Sequence, residues 1–355
     1  MGRVVGLLAL ALALGLMALA AWQVYESPNA LSDRPGAGPT PPATESSSLL
    51  VDVRRGETAG EIGQRLEEMG IIDSALHFRI LVSLLGYDGL LQAGTYEFSP
   101  NTSVLTAVQR IRHGRLATHT LVLIEGWRLS QTARAVEELG IATAEQFQAT
   151  AVAGRYYDAF PFLRPLPPEA PLEGYLFPAT YTFPRNVAVE EVVRAMLAKL
   201  DETFTPELRQ EAERQGLNMH QVLTIASIVE REARLPEERP VIAQVFLKRL
   251  RLGIPLEADP TVQYALGLDE RSVAQHGFWK APLTLQDLEV DSPYNTYRNQ
   301  GLPPGPIASP GLDSIVAVVR PAGTNYLYFV ARPDGSHAFA ETLEEHLRNV
   351  QMYRD

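Results

Sequence analysis

The sequence predicts an α+β fold with an N-terminal transmembrane helix, and three observations predict it. The chain opens on a long uncharged apolar run, it then repeats a strand-and-helix pattern, and it closes on strong helix signals that lead into two short strands. With 355 residues there is chain for two or three domains and a sizeable core.

Val4 to Trp22 carries no charge, and about nineteen such residues in a helix span a ~30 Å hydrocarbon core. Arg3 precedes it, which points the amino terminus to the cytoplasm and the rest of the chain outside the cell (inner) membrane. Ala18-Leu19-Ala20 leaves a second reading open, a signal peptide with a small-residue cleavage site. Either way the bulk of the chain is exported. Residues 1–25 are assigned to the anchor, and the Pro-, Gly- and Ser-rich residues 26–48 to a flexible linker.

An internal repeat follows. Val51-Asp-Val-Arg-Arg-Gly56 aligns with Leu121-Val-Leu-Ile-Glu-Gly126, and Glu67-Glu-Met-Gly-Ile71 with Glu137-Glu-Leu-Gly-Ile141, in one register. Thr95-Tyr-Glu-Phe98 recurs as Thr180-Tyr-Thr-Phe183 at a larger spacing, because the second copy has gained residues around Pro161–Pro171. Each copy reads as strand, helix, helix, strand, helix; two copies make a duplication and not a solenoid. The first copy is placed in a subdomain at 49–116, and the second opens a larger mixed α/β domain with a helical part at 117–355.

Within that domain a helix is predicted over 218–235, capped by Asn218 with Gln221 at its third position and stopped by Pro236. A second helix runs from about Pro240 to Leu252, with Pro at its start and Gly253 at its end. For Asp259-Pro260 an Asp-Pro turn is the plain alternative to a substrate-facing role, a helix is expected over Leu312–Val319, and strands at Tyr326–Val330 and His337–Phe339 flank a turn at Pro333-Asp-Gly335.

The chemistry-bearing stretch is Ser227-Ile-Val-Glu-Arg-Glu232, which sets acids inside an apolar helix. A free Glu is protonated about once in five hundred at pH 7, whereas a two-unit rise from partial desolvation makes that more than one in ten. Periodicity does not choose between Glu230 and Glu232: the apolar stripe centres near Val222, Val229 and Ala233, and the acids lie on opposite flanks. The plain alternative is that both are solvated flank residues paired with basic neighbours.

Composition narrows the classes. A net charge of −11 without a basic stripe argues against nucleic acid as a partner. The absence of cysteine removes disulfides, thiol catalysis and Cys-ligated zinc, and the scattered histidines form no HExxH, so neither metal nor cofactor is expected. No Gly-x-Ser-x-Gly elbow, Ser-x-x-Lys or phosphate-cradling loop occurs.

Leu172-Glu-Gly-Tyr-Leu-Phe-Pro178, Ser227–Glu232, Asp259-Pro-Thr-Val-Gln-Tyr264, Tyr294-Asn-Thr-Tyr297, Gly301-Leu-Pro-Pro-Gly305 and Tyr326–Val330, taken together and in order, resemble the YceG-like endolytic murein transglycosylase family. The resemblance runs from about Leu49 to the C-terminus. The first copy of the repeat, with Arg55-Gly-Glu-Thr-Ala-Gly-Glu-Ile-Gly-Gln-Arg-Leu66, resembles a LysM module, either as a binder of N-acetylglucosamine polymers or as a packing subdomain without sugar contact.

The resemblance implies a membrane-anchored enzyme that cuts nascent peptidoglycan within its glycan strands to end their elongation, beside peptidoglycan synthases (penicillin-binding proteins). It assigns the essential acid to Glu230 and leaves Glu232 to tune or orient it. One carboxyl then suffices where most glycosidases need two, because the muramic acid 6-hydroxyl replaces water. Substrate contacts are expected from Glu173, Glu232, Asp259, Thr261, Tyr264, Tyr294, Asn295 and Thr296, with the Pro-rich run 301–311 as a stiff cleft wall. Two rival readings are a hydrolase of the same polymer, with Asp259 or Glu173 activating water, and a non-enzymatic peptidoglycan-binding scaffold.

Overall fold

The computed structural model describes residues 48–114 and 116–353. The segment read as a membrane helix, Val4 to Trp22, and nearly all of the linker lie outside them; among the described residues no helix is long and apolar enough to cross a membrane. The described chain is a mixed α+β structure whose sheets are three antiparallel strand pairs.

The first copy of the repeat consists of β1 (Leu49–Val53), α1 (Ala59–Glu68), α2 (Ala75–Leu84), β2 (Gly94–Phe98) and α3 (Val104–Arg112). The second has β3 (Thr118–Val122), α4 (Leu129–Glu138), α5 (Ala144–Thr150), β4 (Thr180–Pro184) and α6 (Val189–Thr203), with the Pro-rich insertion between α5 and β4. Strand register reproduces the repeat: Val51 pairs with Tyr96, and their counterparts Leu121 and Tyr181 pair with each other. Period-2 alternation explains why, since these positions point inward in both pairs and a one-residue slip would expose them.

The copies differ in where their apolar faces go. Ile62, Leu66, Phe78, Val82, Tyr96, Phe98 and Ile111 close a core that belongs to the first copy alone. Leu121, Val136, Phe147, Tyr181 and Met196 instead join one continuous core with the helices that follow. Those helices are α7 (Pro206–Arg214), α8 (Met219–Glu232), α9 (Arg239–Leu252), α10 (Asp259–Leu266), α11 (Glu270–His276) and α12 (Leu312–Val319). A strand pair, β5 (Tyr328–Ala331) and β6 (His337–Ala340), and helix α13 (Leu343–Tyr353) complete the described chain.

Helix α8 is the hub. The expected capping box forms, with Gln221 N–H donating to Asn218 Oδ1 at 2.9 Å and Asn218 N–H to Gln221 Oε1 at 3.0 Å. It ends three residues before the predicted Leu235, because Ala233 turns to an extended conformation ahead of Pro236. Val222 to Val229 are buried without interruption under α7, α9, α10 and α12. A helix covered on every side has no single stripe to read, which is why periodicity does not choose between Glu230 and Glu232.

Other boundaries follow their local chemistry. Gly253 ends α9 in the left-handed region at φ +67°, and Leu312–Val319 is the helix expected there. Asp259-Pro260 opens α10 rather than making an isolated turn, at a position where proline costs no helical hydrogen bond. Strand β5 starts two residues later than expected, and α13 was not foreseen.

Candidate active site

Glu230 sits in the last turn of α8 with its side chain 7% exposed. One carboxyl oxygen, Oε2, accepts from the Gly311 N–H at 3.0 Å and from the Ser314 hydroxyl at 2.7 Å. The other, Oε1, accepts from the Arg239 guanidinium at 3.3 Å. An apolar surround was expected for this acid; the structure gives it a polar rim made by two segments, Arg239 at the start of α9 and Gly311–Ser314 at the start of α12. Such donors are complementary to the negative charge that appears when a carboxylic acid gives up its proton.

The Ser-Ile-Val-Glu motif builds this rim. Ser227 is fully buried one turn before Glu230, and its Oγ accepts from the Ile307 N–H at 3.0 Å. That bond seats the run 305–311 against α8, and paired bonds between Gly126 N–H and Ser309 O and between Ser309 N–H and Trp127 O, both 2.8 Å, hold its far side. Residues 305–311, the buried part of the run expected to form a stiff cleft wall, work as a clamp that delivers Gly311 to Glu230.

Glu125, which sequence reasoning passed over, faces the same spot. A methyl group on Gly311 would overlap its carboxyl group, on the residue whose N–H serves Glu230. Partial burial and the charge of Glu230 push the Glu125 carboxyl above its ordinary range, against the pull of Arg239. Its signal lay in the repeat: it stands at the copy's Arg55, directly before a glycine that takes positive φ in both copies. Gly126, at φ +76°, lies so close to Arg231 that a side chain there would press on it, and in ordinary contact with Glu230.

A second polar cluster lies beneath. Glu173 is 8% exposed; it accepts from the Leu129 N–H at 2.8 Å and the Tyr264 hydroxyl at 3.2 Å, and burial pushes its carboxyl up to about 7. Arg128, 1% exposed, donates to the Tyr264 carbonyl and stacks its guanidinium on Tyr264 and Trp279 at 4.3 and 4.6 Å. Burial brings that guanidinium down to about 10. Arg231 lies over the other contact of Trp279 at 4.0 Å, and Tyr294 packs on Tyr264 with ring centres 4.7 Å apart. These side chains link α4, α8, α10 and the loop before the clamp.

The remaining expected contacts divide. Thr261, Asn295 and Thr296 are essentially unexposed, and their polar atoms are used inside the protein. Thr261 and Thr296 hydroxyls meet at 2.9 Å, Thr296 accepts from the Ala258 N–H at 3.0 Å, and Asn295 donates to the Leu288 and Val290 carbonyls at 2.8 and 2.9 Å. Direct sugar contact by these three is thus corrected to a structural role, as burial with satisfied bonds leaves nothing to offer a ligand. Glu173 and Tyr264 are closed off in the same way. Asp259 and Tyr294 are half-buried, and Asp259 accepts from the Tyr297 hydroxyl at 2.6 Å. Glu232, half-buried at the end of α8, lies within electrostatic reach of Tyr297 and Arg231.

Comparison with known proteins is extensive. The model of the YceG-like family matches residues 51–352. The chain is 33% identical over 324 residues to an endolytic murein transglycosylase of Bacillus subtilis, covering 86% of this chain and 85% of that protein. It is 32% identical over 330 residues to one from Streptococcus pneumoniae serotype 2, covering 87% of this chain and 59% of the longer relative. Among solved structures, a yceG-like protein of Listeria monocytogenes superposes with a TM-score of 0.58 at 34% identity, over 86% of this chain and 99% of that one.

Proposed function

This chain belongs to the YceG-like family, and on that premise we propose that it is an endolytic lytic transglycosylase of peptidoglycan in which Glu230 is the catalytic acid. The relatives named endolytic murein transglycosylases match most of its length, and this supports the activity and its substrate. The observation that carries the choice of acid is the carboxyl of Glu230, held at the rim of the core by Gly311, Ser314 and Arg239.

The protonated Glu230 donates to the oxygen linking N-acetylmuramic acid to N-acetylglucosamine in the β-1,4 bond, and the C1–O4 bond breaks. The new carboxylate then takes the proton of the muramic acid 6-hydroxyl while O6 closes onto C1, leaving a 1,6-anhydro end. Atoms balance without water, and the tethered hydroxyl supplies an effective concentration that water at the same place would not. In the interval when Glu230 is ionised, the Gly311 N–H, the Ser314 hydroxyl and Arg239 stabilise its charge. Asp259, Tyr294 and Glu232, the half-buried members of the expected set, are assigned to the glycan; Glu173, Thr261, Tyr264, Asn295 and Thr296 hold the loops that carry them.

The finer assignments rest on sequence. The uncharged run Val4 to Trp22 behind Arg3 supports a single membrane-spanning anchor, with the enzyme on the outer face of the cell membrane near the synthases that extend the strands. The order β1–α1–α2–β2 with antiparallel strands supports a LysM-like first copy. The deciding experiment digests purified glycan strands with wild type, Glu230→Gln and Glu232→Gln. Cleavage is expected to vanish for Glu230→Gln and to survive in Glu232→Gln; the reverse order would move the acid to Glu232.

A further inference from the structure

We propose that Glu125 is a positioning residue for Glu230: its carboxyl faces that of Glu230 across the backbone of Gly311 and sets the charge state in which Glu230 meets the glycan. The inference deepens the reading of Glu230 as the acid and rests on it. The geometry is specific. Gly311 presents its N–H to Glu230, and the space a side chain would occupy on its Cα is filled by the Glu125 carboxyl, so the two acids are held on one residue from two elements.

The surrounding charges make the arrangement purposeful. Glu230 faces Arg239 from α9, Arg231 from its own helix and Glu125 from the turn after β3. Glu125 faces Glu230, Arg239 and, from the first turn of α12, Asp313. Taken alone, the Gly311 N–H, Ser314 and Arg239 would favour an ionised Glu230, which has no proton to donate. A second negative charge beside it works the other way, because two carboxylates at close quarters disfavour each other's ionisation and titrate as a pair. Removing Glu125 leaves the donors and Arg239 unopposed.

The test is kcat/KM against pH on purified glycan strands for wild type, Glu125→Gln, Glu125→Asp and Gly311→Ala, with Glu230→Gln alongside. For Glu125→Gln the alkaline limb of the profile is expected to move to lower pH by about one unit, so that activity above the limb falls roughly tenfold while the acid side changes little. Glu125→Asp is expected to restore part of that shift. Gly311→Ala, which pushes the Glu125 carboxyl aside without removing it, is expected to move the limb in the same direction as Glu125→Gln. A Glu125→Gln profile that superimposes on wild type, or one lowered equally at every pH and not recovered by Glu125→Asp, overturns the inference. Activity in Glu230→Gln would overturn the parent reading instead, whatever Glu125→Gln does.

Discussion

The two copies of the repeat share strand order, register and helix starts, yet only the second reaches the acid. In the first, Thr58 caps α1 through its own hydroxyl and exchanges bonds with Glu61 three residues on. At the matching place in the second stands Arg128, which makes no such side-chain cap; the first helical N–H, Leu129, is served by Glu173 from 44 residues away. Gly56 and Gly126 both take positive φ, but the space beside Gly56 is empty and that beside Gly126 holds Arg231 and Glu230. Where local bonds suffice the unit stands as its own core, and where they are replaced by distant partners the same frame becomes the wall of a site.

The sharpest break of the comparison comes from removing the buried charge at Arg128. Arg128→Met, which keeps the stem but removes the buried charge, is expected to cost about 3 kcal/mol, since it leaves the Tyr264 carbonyl without its donor and takes away the positive charge near Glu173. Chemical denaturation followed by tryptophan fluorescence checks it, since Trp127 lies in the second copy and Trp279 in the helical part.

Glu173 gives a pH-dependent contrast. Its carboxyl is raised from 4.5 to about 7 in the fold, so the folded state keeps a proton that the unfolded chain has lost between those values. Its contribution is therefore complete below about pH 4.5 and declines as pH rises to about 7, by on the order of 3 kcal/mol. The difference in Tm between Glu173→Gln and wild type should grow across that window; a difference independent of pH would contradict the burial of this acid as the source.

A smaller effect separates the paired glycines. Gly56→Ala and Gly126→Ala each place a side chain at positive φ, for roughly 1–2 kcal/mol. Only Gly126→Ala is expected to lower glycan cleavage as well, about tenfold, because it presses on Arg231 beside Glu230. The smallest is Thr58→Ala, which should cost about 1 kcal/mol in the first copy and leave cleavage unchanged.

What the sequence revealed and what it hid divide along the same line. The duplication, the Asn218 capping box, the Gly253 stop and the helix Leu312–Val319 depend on neighbours a few residues apart, and all were legible. The rim around Glu230 was not, because Gly311, Ser314, Arg239 and Glu125 come together only when four segments pack. Polar types misled in the same way: Thr261, Asn295 and Thr296 looked like sugar contacts, and their hydrogen bonds turned out to be spent inside the protein, on nearby backbone and on the tie between Ala258, Thr261 and Thr296. The Ser227 hydroxyl, buried in an apolar helix, was the one local hint that a distant loop would dock there.

The central claim is that Glu230 drives an intramolecular closure and no water enters the new bond. The most direct measurement is mass spectrometry of glycan strands cleaved in ¹⁸O-labelled water by wild type and by Glu230→Gln. The account predicts 1,6-anhydro ends free of label from wild type and no new ends from the variant. Reducing ends carrying ¹⁸O at C1, or anhydro ends still formed by Glu230→Gln, would contradict it.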